Sequence, residues 1–316
     1  MGFSVKKKKL SVGLSIEGEE FHLMMIEGGG GYRGVLKSAH GIFPKEILKS
    51  GNIYENFGAN LDPVFKFVVE KAGGISEPVN LGLPAAESLL RIVNMPGLSL
   101  EDSKQAFRFE VENYFPFPAS DSVYDIAEIE WPVGENAVEK RFLVAAARKT
   151  LLENITRAAS LNGMALASLE PSQLALERAA GAERPIEDSC VYIYAGGESS
   201  VLILSWRGCG IFYRNIPSGL GEAVKMSVES EEYSAAATSF SRDVQSTLQF
   251  ALSQNRALSV KSAYLFGPGA SQKLRDTLKE WTSIEGIALI DVMRLHGINF
   301  ETGRGGWETA LGLALR

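Results

Sequence analysis

The sequence predicts an α/β protein made of a duplicated half, with a smaller β-β-α-β-β-α subdomain inserted between the two copies. Three observations lead there. Residues 10–72 run strand, hairpin, strand, strand, helix, and residues 190–256 repeat that plan. Residues 79–163 carry a pattern of their own. The 32 glycines among 316 residues gather at the turns between these runs, where chain reversal favours a residue without a Cβ. The repetition lies in pattern, and residue identities repeat only weakly.

The elements follow in order. Leu10, Val12, Leu14 and Ile16 alternate with small or polar residues, and Phe21, Leu23 and Met25 continue as a second strand. Gly28-Gly29-Gly30-Gly31 turns the chain into a third strand near Tyr32. Asp62-Pro63 opens a helix to about Ala72, with Val64, Phe67 and Val68 on one face. In the inserted unit, Val79 to Leu83 and Leu89 to Val93 read as strands. Ser99 with Asp102 resembles a capping box for a helix to about Phe115. Strands Val123 to Ile129 and Phe142 to Ala146 follow, then a helix from Thr150 to Asn162 that Gly163 ends.

The second copy starts at Cys190. Val191, Ile193 and Ala195 alternate, Gly196-Gly197 turns, and Val201 to Ser205 and Ile211 to Asn215 complete a meander. A helix over about 232–256 carries Phe240, Val244, Leu248 and Leu252 at helical spacing. Ser262 to Phe266 is a strand, Gly267-Pro268-Gly269 a turn and Ser271 to Trp281 a helix. The last helix lines up Trp307, Ala310, Leu311, Ala314 and Leu315 as a core-facing stripe. The expected domains are 1–78 with 164–188 and 303–316, then 79–163, then 189–302.

Composition narrows the chemistry. A net charge of −6 argues against broad nucleic-acid binding. Cys190 and Cys209 fit no metal or disulfide spacing and suit a reducing compartment, and His22, His40 and His296 are scattered. No metal site is expected. The run Lys6–Lys9 reads as a solvated tail before the first strand, with contact to an anionic membrane surface as the other reading. No signal-peptide core or membrane span is evident, which places the expected protein in the cytoplasm. Glu110 and Glu112 lie two apart, on different helix faces. No serine-hydrolase order and no GxxxxGK[ST] loop occurs.

Several stretches carry a family resemblance. They are Leu83-Pro84, Arg91-Ile92-Val93-Asn94-Met95-Pro96, and Phe109 through Phe117 with its ending Tyr114-Phe115-Pro116-Phe117. Further on come Ala145-Ala146-Ala147-Arg148, Asp243 through Phe250, and the ending Ala310 to Arg316. In this order, over essentially the whole chain, they resemble the PilM family of actin-like type IV pilus assembly proteins, relatives of FtsA. The resemblance implies the actin-like, ribonuclease H-like duplicated fold. It also makes 79–163 the SHS2-like inserted subdomain.

Actin-like ATPases place an Asp-Ile/Leu-Gly turn in each half, whose amides hold phosphate and whose acids hold hydrated Mg²⁺. Here the first match is Ser15-Ile16-Glu17, with Gly18 following, and the second is Tyr194-Ala195-Gly196-Gly197-Glu198-Ser199. Both acids are gone. Glu17 adds a negative charge that would cost on the order of 4 kcal/mol against a phosphate at about 4 Å and an effective dielectric near 20. Gly267 and Gly269 match the adenosine-side turn of the family, and Asp243 the acid near the ribose. The expectation is a pseudo-ATPase with a degenerate nucleotide site at Ser15, Gly18, Gly196, Gly197, Ser199, Asp243, Gly267 and Gly269, and no cofactor. An ATPase with atypical metal ligands is the alternative.

The resemblance further implies a scaffold at the cytoplasmic face of the inner membrane. Such a scaffold captures the N-terminal tail of a PilN-like inner-membrane protein in a groove beside the inserted subdomain. Other pilus or secretion-machine proteins are further expected partners. Tyr114 and Phe117 flank prolines and suit an extended peptide, and Arg91 and Met95 are candidates for the groove wall. The cytoplasmic part of a type II secretion L-type protein shares the fold and is a second alternative.

Overall fold

A computed structural model describes residues 9–29, 32–47, 61–131, 139–181, 189–197, 199–216, 219–254, 258–299 and 305–316. Lys6–Lys8 and part of the 28–31 glycine run fall outside them. The chain begins with β1 (Lys9–Glu17), β2 (Glu20–Gly29), β3 (Tyr32–Ile42), α1 (Asp62–Lys71), β4 (Val79–Leu83) and β5 (Ser88–Pro96). Next come α2 (Leu100–Phe107), α3 (Val111–Tyr114), β6 (Ser122–Ile129), β7 (Glu139–Arg148), α4 (Lys149–Leu161), β8 (Leu166–Pro171) and α5 (Ser172–Gly181). The second copy holds β9 (Ser189–Tyr194), β10 (Ser200–Trp206), β11 (Cys209–Ile216), α6 (Glu231–Gln254), β12 (Ser262–Phe266), α7 (Gln272–Thr282) and β13 (Gly286–Leu289). Two short helices, α8 (Val292–Leu295) and α9 (Trp307–Ala314), follow and belong to the first unit described below.

The chain divides into two compact units. The first comprises Met1–Pro84, Leu151–Glu183 and Asp291–Arg316. Its sheet has the order β3-β2-β1-β4-β8. β1, β2 and β3 form an antiparallel meander, and β4 and β8 add in parallel beside β1. Gly18, at φ +55°, starts the two-residue turn between Glu17 and Glu20. Helix α9 packs across β1, β2, β4 and α5. Its approach is so close that a Cβ on Gly13 would stand 2.0 Å from the Ala310 carbonyl oxygen. Leu311, Leu313 and Ala310 are fully buried there, each leucine contributing about 1.5–3 kcal/mol. Arg178 donates to both Glu170 oxygens at 2.7 and 3.1 Å and to the Gly312 carbonyl at 2.7 Å, and Arg316 adds a third bond to Glu170 at 3.1 Å.

The domain edges differ from expectation. Val79–Leu83 pairs with β1 and β8 in the first sheet instead of opening the inserted subdomain. All five of its residues are buried, as a central parallel strand requires. Helix α4, from Leu151 on, belongs to the first unit, as do residues from Asp291. There His296 Nε2 donates to the Ala179 carbonyl at 2.8 Å.

The second unit holds Ala85–Thr150 and Arg184–Ile290. Its larger sheet, β11-β10-β9-β12-β13, repeats the strand order and directions of the first. Arg207 (φ +50°) and Gly208 (φ +78°) make the tight β10–β11 turn. Helices α6 and α7 cover one face through Phe240, Val244, Leu274 and Leu278. The inserted sheet is three-stranded, β5-β7-β6, with α2 and α3 between its first two strands in sequence. Ile129 and Trp131 pack against the larger sheet's core, and β5 packs against β11. Ser99 caps α2 by accepting from the Asp102 amide at 3.1 Å. The helix expected to reach Phe115 tightens instead to i→i−3 bonding at Phe109 and Glu110, which separates α3 and leaves Phe109 85% exposed.

A buried histidine ties the first unit to pH. His22, 4% exposed, packs edge-on to Trp307 at 4.9 Å and faces His40 across the strands at 5.6 Å. Burial first, then the neighbouring His40, lowers its pKa to about 4. The fold therefore favours neutral His22. That contribution is complete above pH 6.5, the unfolded value, and is lost as pH falls toward about 4. Denaturant unfolding should show wild type losing about 3 kcal/mol more than His22→Gln between pH 7 and pH 4. Equal losses would contradict it.

Candidate functional site

The expected nucleotide turns of the second half lie at the end of β9, beside the β12–α7 turn. They are laced together through the backbone. The Ala195 amide donates to Phe266 at 2.8 Å and its carbonyl accepts from Gly269 at 2.9 Å. The Gly196 and Gly197 carbonyls accept from Leu220 and Gly221 at 2.9 and 2.8 Å. The Gly196 amide, which a phosphate turn would offer to its ligand, donates to Ser200 Oγ at 3.0 Å.

Tyr194, expected from the sequence at an acid position of the turn, ends β9. Its side chain is 3% exposed, and its ring lies 5.6 Å from that of Phe266. A Cβ on Gly267 would meet this ring at 2.8 Å, and one on Gly196 would meet it at 3.0 Å. Gly267, at φ +102°, also needs its missing side chain for backbone reasons. A Cβ on Gly196 would lie 2.0 Å from the Ser199 carbonyl oxygen, and one on Gly269 would lie 2.2 Å from Leu220. Gly196 and Gly267 therefore have a steric need independent of any ligand, while at Gly269 the nearest atom is the movable end of Leu220. Gly197 has only ordinary van der Waals neighbours, Ser199 is half-buried, and Asp243 lies half-buried on α6.

Tyr233 was missed in the sequence. Its hydroxyl donates to the Gly269 carbonyl at 3.0 Å and bonds Ser271 Oγ at 2.6 Å, and Ser271 caps α7 by accepting from Leu274 at 3.0 Å. Burial first raises the Tyr233 pKa, and the Ser271 bond opposes that. A tyrosine in the first turns of a long helix carries no local signal of this role.

In the first half, Ser15 is 2% exposed and pairs across the strands with His22. Thr309 of α9 donates to Glu17 Oε1 at 3.3 Å. Among the described residues no group of three or more His, Cys, Asp or Glu is placed to hold a metal ion.

The expected peptide groove divides. Met95 and Phe117 are 5% and 7% exposed and belong to the core of the inserted sheet, with Val93, Phe107 and Phe142. Phe117 stacks on Phe115 at 5.8 Å, with the Arg148 guanidinium 5.5 Å from its ring. These two residues belong to the core that closes the three-stranded sheet under its two short helices and do not line its surface. Tyr114 is half-buried against Phe107 at 5.8 Å, and Arg91 is exposed on β5. Leu98, Leu100 and Phe109 add exposed apolar surface to the same subdomain.

This arrangement is the actin-like ATPase fold, shared with several solved structures. A chain of the PilM-PilN type IV pilus biogenesis complex matches with a TM-score of 0.74 and 23% identity, over 98% of either chain. The ethanolamine utilization protein EutJ from Carboxydothermus hydrogenoformans matches at 0.51 and 13% identity, over 97% of this chain and 89% of its own. A Bacteroides thetaiotaomicron protein with actin-like ATPase fold and unknown function also matches at 0.51, with 11% identity over 93% and 98%. No protein-family model matches the chain, and no curated protein sequence does.

The glycines separate the two uses of these turns. Gly196→Ala should lower unfolding free energy by roughly 2–4 kcal/mol, with or without ATP and Mg²⁺, whereas Gly197→Ala should stay within about 1 kcal/mol. Denaturant unfolding checks both, and a tolerated Gly196→Ala would contradict the steric assignment.

Proposed function

We propose that this chain is a non-hydrolysing adaptor of a type IV pilus assembly machine. In this reading it works at the inner face of the inner membrane and seats the N-terminal tail of a PilN-like membrane protein on its inserted subdomain. The observation that carries the reading is the fold match to the PilM-PilN complex over 98% of both chains. Among the described residues no helix is long and apolar enough to cross a membrane; in this reading membrane contact runs through partners.

The site geometry supports the absence of hydrolysis. Metal-assisted phosphoryl transfer needs acids to hold hydrated Mg²⁺ and free amides to hold phosphate. Ser15 and Tyr194 occupy the acid positions, and the Gly196 amide is bonded to Ser200. Tyr114 and Arg91 remain as the surface groups for an extended peptide, in which an aromatic side chain supplies rigid apolar area.

Phosphate release with ATP and Mg²⁺, run beside capture of synthetic N-terminal tails of small bitopic membrane proteins, tests the reading. Turnover should not exceed a protein-free blank. At least one tail should bind, about tenfold more weakly to Tyr114→Ala. Phe117→Ala should instead act on stability, at about 3–5 kcal/mol. Sustained Mg²⁺-dependent turnover, or no tail bound, would overturn the reading.

A further inference from the structure

The edges of two sheets meet within the second unit. β5 is the outer strand of the inserted sheet, β11 is the outer strand of the larger one, and they pack against each other. Arg91 lies on β5 and Arg214 on β11, each with part of its side chain exposed, and Arg214 is near enough for its charge to act on Arg91. Arg91 donates to the Leu90 carbonyl at 2.9 Å, and among the described residues neither guanidinium has a carboxylate partner. Burial first, then the charge of Arg214, pulls the Arg91 pKa below its ordinary value. In a chain of net charge −6, two like charges held together without an acid form a local site for an anion.

The neighbours indicate what kind of anion. Phe212 lies two residues before Arg214, and both pair with leucines of the buried β10 face, Leu204 and Leu202. The Phe212 ring lies 6.1 Å from that of Phe250, which is 55% exposed. On β5, Leu89 lies two residues before Arg91 and is half-buried. Charge and apolar surface thus alternate on both edges. A free phosphate uses only the charges, while a peptide with an acidic residue between apolar ones uses both.

We propose that Arg91 and Arg214 form a two-guanidinium clasp for the carboxylate of an acidic, apolar-flanked peptide segment of a protein partner. Two planar forks on facing strands suit an oxyanion that accepts from both. This inference rests on the proposed reading of the inserted subdomain as a partner surface.

The test reads the arginines directly and needs no partner tail, so its failure is separate from failure of tail capture. Arginine Nε–Hε NMR signals of the full chain are followed during titration with three probes. These are a soluble octapeptide with one glutamate between leucines, its Glu→Gln counterpart, and inorganic phosphate. The glutamate peptide should shift and saturate the Arg91 and Arg214 signals together, and the glutamine peptide should leave them in place. Arg214→Gln should weaken the Arg91 response about tenfold, with an unchanged near-UV circular dichroism spectrum as the folding control. Three outcomes would overturn the clasp: no response to the glutamate peptide, an equal response to the glutamine peptide, or a stronger response to phosphate.

Discussion

The Ala195 carbonyl takes the amide of Gly269, and on that bond the rest of the second half's ligand region depends. It joins the turn after β9 to the turn after β12. The pairs Gly196–Leu220 and Gly197–Gly221 then bind a third segment to the same point. Three chain reversals meet where the backbone comes too close for side chains, and glycine is what such approaches permit. Tyr194 fills the remaining space with its ring. The same geometry that closes this end of the sheet uses the groups a phosphate would need, so stability and nucleotide chemistry compete for one set of atoms.

The first half uses close approach in another place. Gly13 admits α9 against β1, and a Cβ on Gly312 would stand 1.9 Å from the Ala175 carbonyl oxygen, so α9 also lies tightly on α5. The Glu170–Arg178–Arg316 network then holds the end of the chain, with Glu170 only 6% exposed. A buried carboxylate of this kind depends on its partners, since removing one leaves an uncompensated charge. Ser15 and Glu17, expected at a ligand turn, take part in the packing of this face.

Much of the fold was legible because its signals are local. Alternation marked β1 and β2, Asp62-Pro63 marked the start of α1, and Ser99 with Asp102 marked the start of α2. The placement of Val79–Leu83 was hidden because a fully buried strand has no alternation, and its partners β1 and β8 are remote in sequence. β8, α5, β13 and α8 were not read at all: α5 is buried on most of its surface, which removes the amphipathic stripe, and β13 and α8 span only four residues each. At the site, the absence of an acid at Ser15 and Tyr194 could be read directly. The burial of Met95 and Phe117 could not, because it depends on how α2 and α3 close over β5 and β7. Arg214 and Tyr233 gain their significance only from partners brought near by folding.

Hydrogen-exchange mass spectrometry tests the central claim most directly: these turns are structural, and binding belongs to the inserted subdomain. The chain is compared alone, with a bound partner tail, and with ATP and Mg²⁺. The account predicts protection by the tail over residues 88–129 and no change from nucleotide at residues 194–200 and 266–271. Protection of those turns by ATP, with none over the inserted subdomain from the tail, would contradict it.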